Sequence, residues 1–98
     1  MIIVRNTFRL KFGKAKEAIA LWKEGKQIME KHAPNKVTIM TDLVGESYTL
    51  VCEMEVKSLL DVTAMQSGVY QTPDWVEWYQ RFVPLVESAR RDVYQLLL

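Results

Sequence analysis

Apolar and polar positions alternate along residues 2–10, which predicts a strand. Ile2, Val4, Asn6 and Phe8 fall on one side and Ile3, Arg5, Thr7 and Arg9 on the other. Gly13 breaks the pattern, and over residues 14–32 the period becomes helical. Ala18, Leu21, Trp22, Gly25, Ile28 and Met29 share one face, while Lys16, Lys23, Glu24, Gln27, Glu30 and Lys31 share the other. Gly25 interrupts the apolar stripe at a cost of about 1 kcal/mol in helix propensity, so its expected use is a close approach to the sheet. Pro34-Asn35 should end this helix. Alternation returns over residues 36–44 and, after a short turn at Gly45-Glu46, over residues 47–56. There Tyr48, Leu50, Cys52, Met54 and Val56 form the apolar set.

A second helical region is expected from Ser58 to Gly68, capped by Ser58 with Asp61 three residues on. A loop at residues 69–71 leads to a third helical stretch. Thr72 suits its N-cap, Pro73 its first position and Asp74 its first turn. Trp75, Trp78, Tyr79 and Phe82 then recur as one aromatic stripe, which needs a large surface to cover it. Pro84 cannot donate to residue 80, so the helix should end or kink there. Residues 89–98 predict a final strand.

Strand, helix, strand, strand, helix, strand is the split βαβ order. It predicts an α+β, ferredoxin-like βαββαβ domain over residues 1–98, with both helices on one face of a four-stranded antiparallel sheet. The opposite face is left bare. It should carry Ile3, Arg5, Thr7, Arg9, Thr49, Val51, Glu53 and Glu55, with Val93 and Gln95 from the last strand. Ile3, Val51 and Val93 at its centre predict burial against a second copy of the same face. A chain of 98 residues is also short enough to gain from association. Arg5 and Arg9 should neutralise Glu53 and Glu55.

Composition removes several classes of function. With 13 Lys+Arg against 12 Asp+Glu there is no basic field for nucleic acid. No run approaches the roughly 18 apolar residues of a membrane span, and no signal peptide is evident, so a cytoplasmic protein is expected. Cys52 is the only cysteine, which rules out an internal disulfide, and it should be a buried, unreactive thiol. His32 is the only histidine, so neither a histidine metal site nor a Ser-His-Asp triad is expected within one chain.

Three segments carry a family resemblance: Asn6 to Ile19, Pro73 to Trp78, and Pro84 to Tyr94. On these the chain resembles the dimeric α+β-barrel superfamily, and within it small NIPSNAP-like proteins. The resemblance implies two ferredoxin-like domains packed sheet to sheet. More distantly, the chain resembles the antibiotic-biosynthesis and haem-degrading monooxygenases, which use an asparagine on the first strand pointing between sheet and helices. Asn6 stands at a similar place, seven residues before Gly13. The haem-degrading members also use a Trp and a His on the second helical region. Here Met65 falls where the Trp would, and no His follows residue 32. The axial haem ligand is therefore missing, and no cofactor is expected.

The residues offer few candidates for chemistry. Asn6 lies among apolar neighbours and must find a hydrogen-bond partner, in the protein or in a ligand. His32, in the last turn of its helix, could cap that end or act as a base at a pocket mouth. Trp22, Tyr48, Trp75, Trp78 and Tyr79 are either core or the walls of a pocket for a planar ligand. Two functions stay open. One is a homodimer binding a small molecule between sheet and helices. The other is a cofactor-independent monooxygenase or isomerase acting on an aromatic or polyketide-like substrate.

Overall fold

A computed structural model describes residues 1–33 and 35–98. Pro34, expected to help end the first helix, lies outside the described residues. The elements run β1 (Ile2–Leu10), α1 (Ala15–His32), β2 (Val37–Thr41), β3 (Thr49–Val56), α2 (Leu59–Ser67), α3 (Pro73–Phe82) and β4 (Val86–Gln95), with single 3₁₀ turns at Val69–Gln71 and Val83–Leu85. All pairings are antiparallel and the strand order is β2-β3-β1-β4. This is the expected ferredoxin-like α+β fold.

The core forms where the helices meet the two central strands. β3 alternates strictly, with Leu50, Cys52, Met54 and Val56 buried, and β1 contributes Val4, Phe8 and Leu10. From the helices come Ala18, Trp22 and Met29 of α1, Met65 of α2, and Trp75, Trp78 and Phe82 of α3. Gly25 meets α3 rather than the sheet: the Trp78 ring lies directly on it. The Trp78 indole N–H donates to the Leu21 carbonyl oxygen at 2.7 Å. The Asp61 carboxylate accepts from the N–H groups of Lys57 and Ser58, which closes the start of α2 as expected. At the start of α3 the Thr72 hydroxyl turns backward and donates to the Val69 carbonyl oxygen at 2.6 Å.

Two boundaries differ from the sequence expectation. The β2–β3 connection is a loop over residues 42–48 rather than a two-residue turn, and Leu43 and Val44 stand fully exposed within it. Gly45 (φ 131) and Tyr48 (φ 62) lie outside the φ range of a strand, so the ladder cannot continue through them. The Asp42 carboxylate, accepting from the Thr49 N–H at 3.0 Å, fixes the point where pairing resumes.

The second difference is larger. β4 starts at Val86, directly after the turn that contains Pro84, and ends at Gln95, leaving Leu96–Leu98 outside the strand. Its register pairs Val4 with Val93 and Ile2 with Gln95, so Val93 and Gln95 lie on the helix side and not on the bare face. The bare face instead receives Tyr94, Asp92 and Arg90 opposite Ile3, Arg5 and Thr7. Its apolar residues fall in two cross-strand rows, Ile3 with Tyr94 and Val51 with Met40, on either side of the charged row Glu53, Arg5 and Asp92. As expected, Arg5 is paired within the sheet: its Nε donates to Glu53 at 2.6 Å. Arg9 pairs elsewhere, with Glu46 and Glu87.

Candidate functional site

The helices cover β1 and β3 but stop short of β4, whose residues are almost all exposed on both faces. The uncovered strip opens a cleft of about 630 Å³ between the layers. That volume lies within the usual range for a small-molecule site. Two cross-strand rows make its floor. Asn6 pairs with both Cys52 and Arg91, and Phe8 pairs with Ala89, so these side chains lie abreast on the helix side. Small Ala89 keeps the outer row low. Trp22 and Met29 of α1 form one wall. Tyr70 of the 3₁₀ turn and Trp75, Val76, Tyr79 and Gln80 of α3 form the other.

The polar groups converge on one point. The Nε–H of Arg91 donates to the Asn6 Oδ1 at 2.9 Å. The Arg91 guanidinium carbon lies 5.8 Å from the centre of the Tyr70 ring, within cation–π range. Burial pushes the Tyr70 phenol above its ordinary range, and the nearby Arg91 only partly offsets it. Burial likewise pushes the Cys52 thiol up to about 12. Both groups are therefore protonated at neutral pH, so near Asn6 the site presents a guanidinium, a neutral phenol and a neutral thiol. The buried indole N–H of Trp22 has no acceptor among the described residues.

The sequence candidates separate into two groups. Asn6, Trp22, Trp75 and Tyr79 line the cleft together. Tyr79, 43% exposed, sits at the outer edge of the aromatic stripe, while Trp75 and Phe82 are buried. Trp78 is fully enclosed between α1 and α3 and serves helix packing. Tyr48 lies at the far end of β3, where its ring packs on Phe12 at 5.0 Å. His32 is also away from the cleft. Its Nε2 lies 3.0 and 2.9 Å from the two carboxylate oxygens of Asp74, tying the end of α1 to the start of α3. That contact, with the Trp75 N–H adding to it, holds the Asp74 carboxyl well below the usual range.

Arg91, Tyr70 and Ala89 join the site without having been singled out in the sequence. A signal for Arg91 was present: Asn6 on a buried face requires a partner, and starting β4 directly after Pro84 places an arginine opposite it.

Among the described residues no cluster of His, Cys, Asp and Glu could hold a metal ion, and no helix is long and apolar enough to cross a membrane. Fold and cleft together define a two-layer α+β domain of ferredoxin-like topology. The chain belongs to the NIPSNAP family, whose model matches residues 5–97.

None of the curated proteins matches the chain. Solved structures share its fold at low identity. An uncharacterised NIPSNAP domain protein from Burkholderia xenovorans superposes with a TM-score of 0.89 at 18% identity, over 99% of this chain and 95% of that one. A NIPSNAP family protein of unknown function from Agrobacterium tumefaciens gives 0.88 at 22% identity, over 96% and 86%. A Nitrosomonas europaea protein, provisionally assigned as an antibiotic biosynthesis monooxygenase, gives 0.79 at 14% identity, over the full length of both chains.

Proposed function

We propose that this NIPSNAP-family chain is a cytoplasmic homodimer that binds a small planar molecule in the cleft between sheet and helices. The observation that carries this reading is the cleft itself. Its walls are aromatic, and its polar groups are gathered at Asn6 and Arg91 rather than scattered. The dimer is supported by the bare sheet face, where Ile3 lies beside Tyr94, Val51 lies beside Met40, and Arg5 in the row between them is neutralised by Glu53. A screen of planar aromatic compounds by thermal shift tests the binding reading. A ligand of the native state raises stability with the logarithm of its concentration over Kd once that ratio exceeds one. No shift from any planar compound would remove the proposal.

One observation favours a second reading, a cofactor-independent monooxygenase or isomerase acting on an aromatic or polyketide-like substrate. Among the described residues the Asn6 side chain has no bond to backbone. Its carbonyl oxygen meets a side chain at the edge of an open cleft, so it could orient a substrate. The protonated Cys52 and Tyr70 cannot serve as bases at neutral pH, and for this reason we rank binding ahead of turnover. Product formation from any compound found in the thermal screen would reverse that order.

A further inference from the structure

The charge of the cleft narrows the chemistry of its occupant. Of the two arginines along it, Arg91 lies on the helix side with Asn6 while Arg90 lies on the bare face opposite Thr7, and no carboxylate lines the cleft. Arg90 is already committed, donating from Nε to Asp92 at 3.0 Å. Arg91 has no carboxylate partner among the described residues. Its Nε–H is taken by Asn6, which fixes the orientation of the guanidinium and leaves its two terminal nitrogens to bond elsewhere. A planar fork held in this way matches a carboxylate, which can accept two parallel N–H bonds. Five aromatic side chains, Phe8, Trp22, Tyr70, Trp75 and Tyr79, supply the flat surfaces of the lining.

We infer that the cleft takes a flat aromatic carboxylate, its acid group on the terminal nitrogens of Arg91 and its ring against the aromatic walls. The inference rests on the ligand-binding reading above and adds the ligand's charge and the residue that reads it. Asn6 is then a positioning residue, aiming Arg91 rather than reacting. The Tyr70 phenol lies beside the same guanidinium and keeps its proton, so it can donate a further hydrogen bond to the bound acid. Arg91 keeps water contact when the cleft is empty. The gain on binding is therefore the exchange of water for a charge-assisted pair in a partly enclosed site, worth about tenfold or more in affinity.

The test compares matched pairs on the full chain: benzoate, 2-naphthoate and indole-3-carboxylate, each beside its uncharged primary amide, titrated by quenching of tryptophan fluorescence. At least one acid should bind about tenfold or more tightly than its amide. Arg91→Gln should remove that preference by weakening the acid far more than the amide. Asn6→Asp, which places a carboxylate against Arg91, should weaken the acid more than the amide. If acid and amide bind the wild-type chain equally, the charge inference is overturned while the binding reading stands. If no acid and no amide binds, both are overturned. The wild-type comparison needs no variant, so it stands even if Arg91→Gln fails to fold.

Discussion

Gly25 of α1 and Trp78 of α3 touch so closely that no side chain fits between them. A Cβ built on Gly25 would lie 2.6 Å from Cε2 and 2.9 Å from Cη2 of the Trp78 ring. Alanine at position 25 should gain about 1 kcal/mol in helix propensity and lose more to overpacking, which typically costs about 1–3 kcal/mol. We expect Gly25→Ala to lower the urea midpoint. Trp78→Phe should also destabilise, because it gives up the bond to Leu21 and part of the ring. The double variant should be more stable than the sum of the two, because phenylalanine lacks the atoms that the new methyl group meets. Strict additivity would contradict this packing account.

The His32–Asp74 contact makes stability depend on acid pH. Asp74 is depressed in the folded chain chiefly by its hydrogen bond to His32. A carboxyl of this kind contributes stability that is fully present above its unfolded value of about 3.9 and is lost as pH falls through the folded value. The stability gap between wild type and Asp74→Asn should therefore shrink as pH falls below about 4. The Asp74 carboxyl carbon, followed by NMR, should titrate below the other aspartates. An Asp74 midpoint among the ordinary aspartates would contradict the geometry.

Cys52 lies in the floor of the cleft but is buried, and its thiol is pushed up to about 12. At pH 8 the thiolate fraction is then on the order of a thousandfold below that of a free cysteine. Maleimide should label the unfolded chain promptly and the native chain only at the rate of opening. Rapid native labelling would show that the floor is more open than described.

The dimer is tested at the centre of the bare face. Light scattering should give twice the 11.4 kDa of one chain. Val51→Asp should reduce this to the single-chain mass, because an uncompensated carboxylate would then be buried in the interface. A wild-type mass near 11.4 kDa would refute the dimer.

Much of the fold was legible because its periodicities are clean. The stripe of α1, the alternation of β3 and the Thr72-Pro73 start of α3 each carry their own local signal. What was not legible depended on tertiary context. Leu43 and Val44 extend an apolar run yet stand in solvent, because Gly45 and Tyr48 turn the chain out of the ladder. The expected last strand ran three residues too far along and put Val93 and Gln95 on the bare face, and Arg91, which shares their side, was hidden with them. Asn6, Trp22, Trp75 and Tyr79 were identified as a possible pocket from residue type and face. Trp78 and Tyr79 could not be told apart by spacing, although one is enclosed by Gly25 and the other opens onto the cleft.

The proposed ligand lies between sheet and helices, with α3 as one wall. Intermolecular NOEs from a bound aromatic carboxylate test it most directly. Contacts are expected from the ligand ring to Phe8, Trp75 and Tyr79, with none to Val51 or Tyr94 on the opposite face. Contacts confined to Val51 and Tyr94 would contradict it.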